Sequence, residues 1–218
     1  MFPKHADGGG LGPRSARWVI VLTVALIGLI PGPSATAAAE GTARATVEGF
    51  HTALVDAAAL RADTENVWQK RVATLAPEVN RSHDLDFMLE VIMGSKWAPL
   101  DAAQRNRLID IHARHIVSGY AARAAAFDGV QFQYQREKRD GRDLTLLTST
   151  WTSGDGERHR LGYILRRSSR GWRVINVLTD GVSELALLYR RYHTSLVEGG
   201  VDGLINSLEN ELEARRRR

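Results

Sequence analysis

Between residues 130 and 178 the apolar residues leave helical spacing for strict alternation, and three short turns cut the run into four segments. Val130, Phe132 and Tyr134 alternate with Gln131, Gln133 and Gln135. Asp140-Gly141 is a two-residue hairpin signal, Ser153-Gly154-Asp155-Gly156 a second turn, and Ser168–Gly171 a third. The later segments are Arg142–Trp151, rich in Thr and Leu, then His159–Arg167, then Trp172–Leu178. In His159–Arg167, Leu161, Tyr163 and Leu165 alternate with Arg160, Gly162 and Arg166. Connections this short join antiparallel neighbours. The pattern predicts a four-stranded antiparallel meander, ended by Asp180-Gly181. Such a sheet needs one face covered, and the cover has to come from the segments on either side.

Those segments read as helices. Ala43–Ala62 places Val47, Phe50, Leu54 and Ala58 at helical intervals. Asp63-Thr64 can cap a second helix with Trp68, Val72, Leu75 and Val79 on one face, which Pro77 is expected to end early. Asp84 can cap a third, short helix carrying Leu85, Met88, Leu89 and Ile92 and stopped by Gly94. Asp101 followed by Gln104 resembles a capping box, and Leu100 before it can act as a hydrophobic staple; from there Leu108, Ile111 and His115 share a stripe, with Tyr120 beside it. The helix fades at Phe127-Asp128-Gly129. Two helices close the chain, roughly Val182–Val197 and Val201–Ala214, broken by Glu198-Gly199-Gly200. Strands flanked by helices argue an α+β fold in which the meander packs against N-terminal and C-terminal helices. A concave sheet under helices is also where an apolar pocket lies.

The first 37 residues read as an address rather than as fold. Lys4, Arg14 and Arg17 precede the apolar run Trp18–Ile30, Pro31-Gly32-Pro33 breaks it, and Ala35-Thr36-Ala37 offers a small-x-small cleavage site. The run is thirteen residues, where a membrane span needs roughly 20. The expected organisation is a cleaved signal peptide over 1–37, a single domain over 38–214, and a basic tail over 215–218. Charge follows this division. The whole chain has 29 Lys and Arg against 25 Asp and Glu, a formal +4. Residues 1–37 carry three of the cations and Asp7, and Arg215–Arg218 carry four more cations, so the body is near −2. The basic pI of 9.7 therefore does not describe a nucleic-acid surface. There is no cysteine, so an exported chain of this length relies on its core alone, and thiolate chemistry and Cys-bound metals are excluded.

Catalytic patterns are sparse. His112 and His115 lie three apart on the fourth helix without a third ligand on their face. No H-E-x-x-H and no P-loop occurs. Gly181-Val182-Ser183-Glu184-Leu185 begins like a nucleophile elbow but lacks its final Gly; Ser183 reads more simply as a helix cap, with Glu184 favoured by the helix dipole. For Asp84 and Asp86, capping is the simpler role than acid–base chemistry. No catalytic residue, metal or cofactor is assigned.

Gly171-Trp172-Arg173-Val174-Ile175-Asn176-Val177 followed by Asp180-Gly181-Val182-Ser183-Glu184-Leu185 resembles the MlaC family, periplasmic lipid-shuttle proteins also described as toluene-tolerance auxiliary proteins. Gly200-Val201-Asp202-Gly203-Leu204-Ile205 is similar to the family's closing helix, and Gly94-x-x-Trp97 with Leu100-x-x-x-Gln104-Arg105 to its central segment. Tyr120-Ala121-Ala122-Arg123 looks more like the hopanoid-associated HpnM branch, while Ala124–Ala126 is an addition. The motifs fall in the family's order from about Val67 to Leu212. The resemblance implies a soluble periplasmic carrier that takes a phospholipid or hopanoid into an apolar pocket. It implies service between inner and outer membranes, as auxiliary to an ABC or RND-type inner-membrane transporter and with an outer-membrane complex as a further partner, and no nucleic acid. Each buried CH₂ is worth about 0.8 kcal/mol, so exposing a chain of about sixteen carbons costs on the order of 13 kcal/mol, and lipid needs a carrier to cross water.

Alternation proposes the lining. Phe132, Tyr134, Leu146, Tyr163, Leu165, Trp172 and Val174 would share one sheet face, opposed by Leu108, Ile111, Ile116 and Tyr120 of the fourth helix. Two other readings fit the same architecture. An NTF2-like small-molecule protein or enzyme requires a buried Asp or His in the pocket, and a structural adaptor requires a filled core.

Overall fold

The computed structural model describes residues 41–62 and 65–217. The proposed leader, the Asp63-Thr64 cap and Arg218 lie outside the described residues.

Four helices come first: α1 (Ala43–Ala58), α2 (Val67–Ser82), α3 (Leu85–Met93) and α4 (Ala102–Arg123). A 3-10 turn, Ala124–Phe127, leads to the sheet. Its strands are β1 (Gln133–Asp140), β2 (Leu144–Thr152), β3 (Arg158–Ser168), β4 (Gly171–Thr179) and β5 (Val182–Ser183), paired in sequence order and all antiparallel. Helix α5 (Glu184–Arg216) closes the fold.

The meander is thus five-stranded rather than four-stranded. Asp180 and Gly181 both take positive φ, 51° and 87°, which turns β4 directly into the two-residue β5. Asp-Gly is a hairpin signal here as it is at residue 140, and its meaning as a terminator was the wrong one. The first hairpin is longer than expected: Asp140 pairs with Leu144, leaving a three-residue loop, Gly141 to Asp143. Ser183 does cap α5, accepting from Ala186 N at 3.1 Å, but the helix begins at Glu184 because Val182 belongs to the sheet.

Helix α2 runs through Pro77 to Ser82. Leu75 and Val79, fully buried around the proline, anchor that stretch, and tertiary packing outweighs the local loss of one hydrogen bond. The capping box at the start of α4 is present in both directions. Asp84 stands at the N-cap position of α3 as expected, but its side chain makes no capping hydrogen bond. Its buried carboxylate takes Arg166 Nε at 2.6 Å, tying the start of α3 to β3.

Two apolar clusters form. The first lies between the inner sheet face and α1, α2 and the end of α4, and includes Phe50, Leu75, Leu147, Tyr163, Leu165 and Val174. The second is helical, joining α3 and the start of α4 to α5 through Leu89, Leu108, Ile111, Tyr192 and Leu204. Helix α5 reverses at Gly200 (φ 62°, ψ −152°), the break expected from Glu198-Gly199-Gly200. Arg191 and Glu211 then meet at 3.2 Å, so its two halves lie side by side as a helical hairpin. Gly203 packs so close to Ser195 that a Cβ there would sit 3.2 Å from the Ser195 carbonyl oxygen.

Candidate functional site

A cleft of about 720 Å³ opens between one end of the sheet and the helices over it, within the ordinary range for a small-molecule site. Phe50 and Leu54 of α1 form one wall, and Trp151, Leu161, Tyr163 and Val177 of β2, β3 and β4 form the other. The strand register explains the second wall. Leu147 pairs with Tyr163, and Trp151 with His159, so the odd-numbered side chains of β2 and β3 face inward together. The 3-10 turn closes the side with Ala125, Ala126 and Phe127, and Leu187 of α5 completes it.

The expected lining residues are dispersed. Tyr120 and Tyr163 line the cleft. Leu165 and Val174 are fully buried in the first cluster, and Phe132, Tyr134, Ile116 and Trp172 are half-buried against it. Leu108 and Ile111 sit in the second cluster, on the far side of α4. Leu146 pairs with Ile164, which puts it on the outer sheet face opposite to Tyr163 and Leu165, and leaves it 36% exposed. The one-face set therefore does not hold at Leu146: in Leu144-Thr145-Leu146-Leu147 both parities carry Leu, and the inward one is Leu147. Trp151 has the parity of Leu147, and would have fixed the choice. Phe50 and Leu54 carried the helical spacing of α1, with no signal that they faced open space.

Polar groups behind and around the cleft form two kinds of arrangement. Behind it, histidines are buried between tyrosines. His51 lies with Nδ1 2.8 Å from Tyr134 Oη and Nε2 2.8 Å from Tyr163 Oη. The ring also stacks on Phe132 at 3.6 Å. Burial pushes its pKa down to about 3, so it is neutral, one nitrogen donating and the other accepting. His83 is held between Ser82 Oγ and Tyr120 Oη, and desolvation helped by nearby Arg173 lowers it to about 3 as well. Tyr120 donates onward to Glu184 Oε2 at 3.2 Å, and Arg123 donates to Glu184 Oε1 at 3.1 Å. Desolvation raises the phenols of Tyr120 and Tyr163 well above their ordinary value, so they stay neutral.

At the opposite rim, His159 Nδ1 meets Asp180 Oδ2 at 3.0 Å while its ring stacks on Trp151 at 4.6 Å. The Asp180 hydrogen bond raises His159, and the Arg160 amide together with His159 lowers Asp180. Each ionisable group is thus engaged with a neighbour, and the cleft presents an apolar interior within a charged rim. Among the described residues no group of three or more His, Asp or Glu is placed to hold a metal ion, and no helix is long and apolar enough to cross a membrane.

The sequence motifs acquire structural meaning here. Tyr120 and Arg123 of the Tyr120–Arg123 segment converge on Glu184 of the Asp180–Leu185 segment, joining α4 to the start of α5 at the cleft. Arg105 lies over the Trp97 ring at 5.5 Å and donates to the Ala98 carbonyl, fixing the turn into α4. Arg173 donates to the Asn80 and His83 carbonyls, fastening β4 to the end of α2.

A family model described as MlaC protein matches residues 51–210. No curated protein matches the chain. Among solved structures, the chain is similar in fold to a protein described as the phospholipid-binding protein from Ralstonia solanacearum in complex with a phospholipid. That likeness has a TM-score of 0.67 at 19% identity, over 83% of this chain and 99% of that one.

Proposed function

Because the chain belongs to the MlaC family, we propose that it is a periplasmic lipid carrier which shelters the acyl chains of a phospholipid in the cleft. The observation that carries this reading is the cleft itself. Its walls are apolar and aromatic, and its rim is charged. It occurs in a fold shared with a protein described as phospholipid-binding. An apolar interior offsets the cost of taking acyl chains from a bilayer, about 0.8 kcal/mol per CH₂, and a charged rim keeps a headgroup in water. Export by the 1–37 leader places the carrier between two membranes. Exchange with an inner-membrane transporter and with an outer-membrane complex completes the shuttle. The working residues are those that bind, and none is a catalyst.

Native mass spectrometry of protein purified without detergent tests the reading. A phospholipid mass is expected; a hopanoid mass moves the assignment to the hopanoid branch, and a bare chain or a small polar ligand refutes the carrier. Ala126→Trp gives the mutational arm. Ala126 is exposed on the cleft wall, so bulk there fills the cleft without disturbing the core. We expect at least a tenfold loss of co-purifying lipid with unchanged circular dichroism, whereas Val91→Trp, on the exposed face of α3, keeps its lipid.

A further inference from the structure

The cleft does not end at its charged rim. A smaller pocket of about 150 Å³ continues from it, sharing Tyr120, Arg123, Glu184 and Leu187 and adding Arg191 and Arg215 among its own walls. Cations outnumber anions there. Arg123 pairs with Glu184 at 3.1 Å. Arg191 and Arg215 both rest on the same oxygen of Glu211, at 3.2 and 3.6 Å, and that oxygen also takes His115 Nε2 at 2.9 Å. Three guanidinium groups thus share two carboxylates, and burial keeps His115 neutral rather than cationic. Arg215 is fixed from beneath, where it lies 3.3 Å from the His115 carbonyl and from Ser118 Oγ. Arg123 and Arg191 are more than half exposed, and their remaining N–H groups are open to a ligand.

The other rim carries carboxylates, beside His159. Asp155 and Asp180 stand there, both held below the ordinary carboxylate range by hydrogen bonds. The guanidinium cluster is therefore the side of the cleft that attracts an anion entering with an apolar tail.

We propose that the smaller pocket receives the phosphodiester of the lipid whose acyl chains fill the cleft, with Arg123, Arg191 and Arg215 as its contacts. The inference rests on the carrier reading and adds the headgroup class to it. One phosphodiester carries one negative charge, which matches the single excess cation. Its two free oxygens suit the paired N–H groups of guanidinium. The volume, about a fifth of the cleft's, suits a small polar group such as one phosphate rather than a second acyl chain. The order of surfaces, apolar wall then guanidinium cluster, is also the order of groups along a glycerophospholipid.

The test offers the purified protein vesicles containing deuterated phosphatidylglycerol or deuterated diacylglycerol with the same acyl chains, and counts labelled lipid on the protein by mass spectrometry. The wild type is expected to take phosphatidylglycerol about tenfold over diacylglycerol. Arg191→Gln, at a residue that lines the smaller pocket and not the cleft, and the double variant Arg123→Gln/Arg191→Gln are expected to erase most of that preference with circular dichroism unchanged. Calorimetry with inorganic phosphate gives the second arm, in which weak binding that loaded lipid abolishes is expected. A preference that survives both variants, or equal uptake of the two lipids by the wild type, overturns the headgroup site and leaves the acyl cleft standing. Inorganic phosphate binding that is indifferent to loaded lipid makes the pocket a free-anion site and overturns it too. Uptake of neither lipid removes the carrier reading together with this one.

Discussion

His51, His83 and His112 are each buried neutral, with pKa lowered from 6.5 to about 3 by desolvation. His115 is lowered too. In the unfolded chain all four regain an ordinary pKa near 6.5. As pH falls through 6.5 the unfolded state binds protons that the folded state refuses, so stability is present above that value and drains away toward pH 3. Each fully refused proton steepens the loss by about 1.4 kcal/mol per pH unit. Urea midpoints should therefore be level above pH 7 and fall between pH 6.5 and 5, before most carboxylates titrate. His51→Gln keeps a donor and an acceptor between Tyr134 and Tyr163, and should make that fall shallower. An unchanged slope would mean that His51 takes up its proton inside the fold. The sequence showed these histidines only as scattered residues, because their partners stand far off in the chain: 83 positions from His51 to Tyr134, and 80 from His112 to Tyr192. The side-chain role of Asp84 was hidden for a similar reason, although its place at the start of α3 was legible. A helix cap is a local relation and legible; an ion pair with Arg166 across 82 positions is not.

Elements were easier to read than their partners, because periodicity and turn chemistry are local. The alternation of Leu161, Tyr163 and Leu165 gave the inward face of β3 directly, and the capping box gave the start of α4 to the residue. The reading failed where one segment carried two consistent patterns. Leu146 and Leu147 each fit an apolar stripe, and only the neighbouring strand decides between them. Pro77 is the complementary case, a local stop signal overruled by the burial of Leu75 and Val79. Gly200 shows local chemistry governing a long-range consequence. Its φ of 62° with ψ of −152° lies in a region essentially restricted to glycine. From that one residue α5 reverses, bringing Leu204, Ile205 and Leu208 against Tyr192 and Leu196. Gly200→Ala should cost about 1–3 kcal/mol in urea unfolding. Gly199→Ala, one residue earlier in helical backbone with open space around it, should cost nothing measurable or add slight stability. Equal effects at the two positions would show that the reversal does not depend on a special conformation.

At the scale of the whole molecule, the division into two clusters separates holding from bracing. The cleft borders the first cluster, where α1 and the end of α4 meet the sheet. The second cluster lies behind α4, where α3 and the hairpin of α5 pack on one another. Leu185 and Leu188, at the start of α5, pack against both. With no cysteine in the chain, no disulfide locks one cluster to the other. A ligand in the cleft adds apolar contacts only to the first cluster, and by mass action it stabilises the state that makes them. Hydrogen exchange of lipid-loaded against lipid-free protein should therefore slow in the second half of α1, in the 3-10 turn Ala124–Phe127 and in the ends of β2 and β3 that form the cleft wall. Helix α3 and the stretch of α5 that carries Leu204, Ile205 and Leu208 should exchange at the same rate in both states, because they belong to the second cluster and line neither the cleft nor the smaller pocket. Uniform slowing across the chain would mean that the two clusters open as one cooperative unit. No change at the cleft wall would remove the cleft as the place where lipid is held. The pattern also bears on release. If the second cluster keeps its protection when the first loses it, a partner can empty the cleft by prising α1 and the 3-10 turn from the sheet while the hairpin of α5 keeps the molecule folded.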